Sequence, residues 1–140
     1  MAFEYRKGTR QLVKLPLDST SADIEVGDAI TAAGATSGYF KEVDAAAEAV
    51  VAIAYSKVFS PTADGGAFVL ADVSRESVYE VVPDAGTVTQ ALAMKTADVG
   101  ANARSVDING STTDDIEILE VDTVNNKMLV RINPSLSGVA

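Results

Sequence analysis

The oxygen-rich stretch Asp107-Ile108-Asn109-Gly110-Ser111-Thr112-Thr113-Asp114-Asp115 is the first place to look for chemistry in this chain. Side chains at 107, 109 and 111 follow the opening spacing of a calcium-binding loop. Such a loop also needs glycine at its sixth position for a sharp turn and a bidentate glutamate at its twelfth. Those positions hold Thr112 and Ile118, so the stretch reads as a polar connection between strands. Asp114-Asp115, with Asp107 nearby, supplies paired carboxylates of the kind that acid and base catalysis of glycoside cleavage would use. With 20 acidic residues in the chain, such neighbours arise by chance, and no spacing sets one pair apart.

Other reaction types lack their parts. There is no histidine and no cysteine, which removes the commonest general base, the usual zinc and iron–sulfur ligands, and any disulfide. Serine chemistry has neither a Gly-x-Ser-x-Gly elbow nor a Ser-x-x-Lys pair. Gly65-Gly66 leads into Ala67-Phe68, without the Lys-Ser or Lys-Thr of a phosphate-cradling loop. Asn109-Gly110-Ser111 matches a glycosylation acceptor but reads as a turn, because the N-terminus has no apolar run after its charges. The expectation is a protein that is not an enzyme, with no cofactor and no metal, made in a cytoplasm.

Charge is placed unevenly. Residues 1–14 carry Arg6, Lys7, Arg10 and Lys14 against Glu4, net +3, leaving 7 basic and 19 acidic residues beyond them, net −12. An acidic body disfavours nucleic acid, which is bound through clustered Lys and Arg. A basic leading segment can instead dock on an acidic neighbour, including another copy of the chain. Phe3 and Tyr5 lie in that segment, outside any expected core, where aromatic and arginine side chains make good anchors on a partner. The candidate binding residues are therefore Phe3, Tyr5, Arg6, Lys7, Arg10 and Lys14.

The elements that would carry these residues are strands. At 140 residues the chain can bury roughly 70% of its unfolded surface in one core. Its longest apolar-rich run, Ala45 to Tyr55, is far short of the roughly 20 residues that span a bilayer. Thr9–Leu17 reads as a strand or extended arm with Pro16 favouring an edge. Ile24–Ile30 alternates, with a bend or bulge at Gly27-Asp28, and the loop Gly34–Gly38 precedes Tyr39–Val43. A turn at Ala45–Ala49 leads into Val50–Phe59, where Val51, Ile53, Tyr55, Lys57 and Phe59 share one face and Val50, Ala52, Ala54, Ser56 and Val58 the other. Ala67–Ala71, Ser77–Val82 and Ser105–Ile108 are further strands. Thr87–Lys95 has helical spacing, with Thr87 as a cap. Ile116–Thr123 and Lys127–Ile132 flank Asn125-Asn126, the signature of a hairpin with a two-residue turn.

Seven or eight short strands at similar intervals predict an all-β fold: a single small β-sandwich, jelly roll or barrel-like domain. A basic N-terminal arm over 1–14 and a β-rich domain over 15–140 complete the expected organisation, with at most one short helix.

Taken together, the arm, Ile24–Ile30, Ser77–Val82, Val106-Asp107-Ile108 and Glu120–Ile132 give a chain that resembles the head decoration (cement) proteins of tailed bacteriophages. The resemblance covers most of the chain as a pattern of strand and turn types. It implies a structural protein on the capsid exterior of the virion, made in the host bacterial cytoplasm, that binds the major capsid protein and itself, as a homotrimer or a dimer. It also implies an N-terminal arm that adds to the capsid's own strands, and the small face Ala52-Ala54-Ser56 would admit a neighbouring sheet. The competing reading is a non-enzymatic β-sandwich binding module on a phage tail or fibre. Neither reading calls for nucleic acid or a membrane.

Overall fold

A computed structural model describes residues 2–34, 36–45 and 48–134. In chain order the strands are β1 (Glu4–Lys7), β2 (Leu12–Pro16), β3 (Ala29–Ala32), β4 (Phe40–Glu42), β5 (Ala52–Ala54), β6 (Phe68–Asp72), β7 (Val78–Val81), β8 (Thr96–Val99), β9 (Val106–Asp107), β10 (Ile116–Asp122) and β11 (Lys127–Ile132). They form a six-stranded sheet in the order β1-β7-β11-β10-β8-β9 and a five-stranded sheet in the order β2-β6-β5-β3-β4. Every strand pair is antiparallel. The all-β expectation holds in its sandwich form, and neither sheet closes into a barrel. The expected turn at Ala45–Ala49 and loop at Gly34–Gly38 include residues 46, 47 and 35, which lie outside the described residues, as does the end of the expected domain at 135–140.

Two apolar clusters explain where the strands form. Between the sheets, Ala29, Val50 and Ile53 pack with Tyr79, Val81, Ala97, Ile116, Ile118, Met128, Val130 and Ile132. On the opposite face of the five-stranded sheet, Leu17 and Ile24, which lie outside the strands, pack on Ile30, Val51, Ala52, Ala54, Val69 and Ala71. A sheet buried on both faces needs apolar side chains at consecutive positions, which is why Val50 through Ala54 are all buried. This corrects two expectations. The ladder of the Val50–Phe59 strand covers only β5, and the Ala52-Ala54 face is already covered by the chain's own loops, closed to a neighbouring sheet. From Tyr55 the expected alternation resumes, with Tyr55, Lys57 and Phe59 exposed and Ser56 and Val58 partly buried.

The helix expected over Thr87–Lys95 is a single 3-10 turn, Gln90–Leu92, without a side-chain cap. A nine-residue helix is marginal alone, and tertiary bonds outcompete it here. The Val88 amide donates to the Asn126 side chain, while Met94 N–H donates to Ile118 O and Ile118 N–H to Lys95 O, drawing the chain onto β10.

The closing hairpin forms, with a different turn. Asp122 pairs with Lys127, so the connection has four residues, Thr123–Asn126, and only Asn126 has a positive φ, 56°. Asp122 organises it by accepting from the amides of Val124 and Asn125 at 3.1 and 3.0 Å.

Candidate functional site

The segment carrying the expected binding residues is folded into both sheets. β1 is an edge of the six-stranded sheet against β7, and β2 is an edge of the five-stranded sheet against β6. Phe3 is therefore no exposed anchor. It is buried between the sheets, with its amide bonded to Gly27 O at 3.1 Å. Gly27 has φ +90°, and a Cβ there would lie 2.7 Å from Phe3 O, so the close approach requires glycine. The misreading has a physical source: Phe3 leads a short segment dense in charge, Glu4, Arg6 and Lys7, but edge pairing alternates Phe3 and Tyr5 inward.

The aromatic rings form a stepped stack. Phe3 meets Tyr79 edge-on at 6.5 Å, and Tyr79 meets Tyr5 edge-on at 5.9 Å. The Tyr79 hydroxyl donates to Asp72 Oδ2 at 2.6 Å. Burial, and then this bond and the charge of Asp72, push that hydroxyl well above the usual tyrosine range. Asp72 also accepts from the amides of Gln11 and Ser74, both at 3.0 Å, which ties the start of β2 to the same point.

Outside this stack, cations lie over rings. The Arg10 guanidinium sits 3.6 Å above the Tyr5 ring centroid and 5.0 Å from that of Tyr55. Lys14 lies 5.1 Å from the Phe68 centroid, and Lys57 lies 5.5 Å from that of Phe59. Tyr55 adjoins β6 through its amide bond to Leu70 O, and Lys14 is paired in register with Leu70. Tyr5, Arg10, Tyr55, Lys14 and Phe68 thus run as one mixed cationic and aromatic strip from the β1 edge across the outer end of the five-stranded sheet. At the β1 end it borders a pocket of about 270 Å³ formed with Phe3, Val26, Gly27, Ala54 and Tyr79. Arg6 is directed elsewhere, to Glu80 and Glu4, and Lys7 is exposed at the β1 bulge.

Tyr55 and Phe68 are the strip residues that the sequence did not single out as binding residues. Lys57 between Tyr55 and Phe59 was the available signal, since a lysine on the large-residue face marks that face as solvated.

The acidic stretch 107–115 uses its carboxylates on the chain itself. Buried Asp98 of β8 accepts from the amides of Thr112, Thr113 and Asp114 at 2.8–2.9 Å and from the Thr113 hydroxyl. Burial alone would raise this carboxyl, but those bonds outweigh it and hold the group below the ordinary carboxylate value. Asp115, also buried, accepts from Val50 N–H at 2.7 Å, and Asp107 accepts from the Asn109 amide. Among the described residues, no group of three or more acidic side chains is placed to hold a metal ion.

Compared with protein-family models, with curated proteins and with solved structures, the chain matches none.

Proposed function

We propose that this protein is a non-enzymatic decoration (cement) protein of a tailed-phage head. It binds the exterior of the capsid through the N-terminal strip and stabilises contacts between copies of the major capsid protein. The observation that carries the reading is the strip itself: exposed rings and cations clustered at two sheet edges of an otherwise acidic domain. Rings with a cation alongside are the side chains that concentrate binding energy at protein interfaces. A protein bound only to the assembled shell stabilises it by mass action, with no chemical step.

The strip also refines how docking works. The bulge between Tyr5 and Lys7, and Lys14 and Pro16 on β2, blunt both edges against indiscriminate strand pairing. Side chains therefore supply the contact, and the homotrimeric or dimeric association implied by the resemblance uses surfaces other than the covered Ala52-Ala54 face. The test is binding of the purified protein to purified expanded capsids, with Lys14→Glu and Phe68→Ser combined. Wild-type protein saturates the particles, and the variant loses at least tenfold in affinity while keeping its spectrum of a folded chain. Undiminished binding by the variant would sink the strip's role.

The exposed rings Tyr55, Phe59 and Phe68 favour one other reading, a ligand-binding sandwich on a phage tail or fibre. Imaging of labelled protein on intact particles separates the two, since label on the tail and none on the head excludes the cement role.

A further inference from the structure

Arg10 differs from the other four arginines: among the described residues it has no oxygen partner. Arg6 pairs with Glu80, Arg104 with Asp28 and Arg131 with Glu117, and Arg75 donates to the carbonyls of Val51 and Val73. Among the described residues, no carboxylate lies within ion-pairing distance of Arg10. Its guanidinium is nonetheless positioned, lying over the Tyr5 ring and beside the Tyr55 ring. A guanidinium held over a ring keeps its planar fork of N–H donors at the edge, free for an acceptor, and spends little entropy when one arrives.

The surroundings define the acceptor. The pocket beside Arg10 is walled by Phe3, Val26, Ala54 and Tyr79 and holds about 270 Å³, below the range of sites for drug-sized ligands and suited to one amino-acid side chain. Arg10 is the sole cation among its described lining residues, and the one lining carboxylate, Glu4, lies 3.6 Å from Arg6. A phosphate dianion would meet too few donors in such a site. A single carboxylate on a short apolar stem matches both the fork and the walls.

We infer that this pocket receives the carboxylate of an acidic side chain from a partner protein, with Arg10 as its anchor and Tyr5 and Tyr55 as positioning residues. The inference deepens the docking reading and rests on it for the class of partner.

The test uses the full-length protein alone, so that it is separate from capsid binding. The probes are N-acetyl-Leu-Glu-Val-amide, its Leu-Gln-Val counterpart and inorganic phosphate, followed by NMR of the Arg10 Nε–H and the Tyr5 and Tyr55 ring protons. The Glu peptide shifts these signals saturably, the Gln peptide binds at least tenfold more weakly, and Arg10→Lys abolishes the response while the remaining spectrum is unchanged. Equal response to the Gln peptide, a stronger response to phosphate, or no response up to about 10 mM Glu peptide would each overturn the inference. A peptide response without capsid binding leaves the pocket standing and removes the capsid as partner. Capsid binding without a peptide response does the reverse.

Discussion

Glu42 of β4 sits where burial and a neighbouring carboxylate act in the same direction. Asp28 is fully buried and held by Arg104, whose Nε and Nη2 donate at 2.7 and 3.3 Å, and by the Glu25 amide at 2.9 Å. Glu42 lies against this group with its Oε2 4.0 Å from Arg104 Nη2. Burial, then hydrogen bonding to Asp28 and repulsion by its charge, raise the Glu42 carboxyl from an ordinary 4.5 to about 8, and Arg104 offsets only part of this. A folded-state value above the unfolded one means that folding takes up a proton. The stabilisation is complete below about pH 4.5 and is lost as pH rises through 8. Melting temperature should therefore fall from pH 5 to pH 9 in the wild type. Glu42→Gln, which keeps a donor for Asp28 and cannot ionise, should flatten the curve and be the more stable of the two at pH 9. Asp115, also raised by burial, is common to both proteins, so the difference curve reports Glu42. Parallel curves would mean that Glu42 is ionised in the folded protein throughout.

At the scale of elements, β10 shows why alternation alone misplaces side chains. Counted from Ile116 and Ile118, strict alternation brings Glu120 to the core face. The strand avoids this with a bulge: Ile118 pairs with Val130 and Glu120 with Leu129, leaving Leu119 as the extra residue, and Val121 opposite buried Met128 packs against the core. Deleting Leu119 should heal the bulge, keep Ile116, Ile118 and Val121 on one face, and preserve cooperative unfolding. Deleting Leu129 from unbulged β11 should invert Met128 relative to Val130 and Ile132 and abolish it, because a one-residue slip exchanges the two faces of a strand. Circular dichroism melts of the two deletions test this, and equal damage would count against the bulge as the source of the phase change.

The same physics marks how much was legible in the sequence. The hairpin at 116–132 could be read because its two strands pair with each other, and Ser77–Val82 because its run of β-branched and aromatic residues marks a strand, although its partners β1 and β11 are distant in sequence. At Val50 to Ala54 a strand could be read but its faces could not, because a sheet buried on both faces carries no period. The types needed for the strip, Tyr5, Arg10 and Lys14, stood out in the sequence. Their ring partners Tyr55 and Phe68 are brought in by ladders between residues some 40 to 60 positions apart, and no local spacing encodes that.

Across the whole molecule, the N-terminal segment is a strap that joins the two layers. The chain leaves β1 in one sheet and enters β2 in the other through Gly8, whose φ is +100°. A Cβ at that position would lie 2.1 Å from Glu76 O, so the crossing admits no side chain. Removing residues 1–14 would delete β1, most of β2 and the buried Phe3 ring, exposing Tyr79 and the β6 edge together. The shortened chain should fail to unfold cooperatively in urea, and Phe3→Ala alone should cost about 3–5 kcal/mol. Lys7→Ala, at an exposed position, should change stability by less than about 0.5 kcal/mol. If the shortened chain instead melts like the wild type, the strap is an appendage and Phe3 adds nothing to the core. Should it fail to fold, its loss of capsid binding would carry no information about docking. The strip is then tested only by substitutions such as Lys14→Glu with Phe68→Ser, which alter the exposed side chains and leave both layers joined.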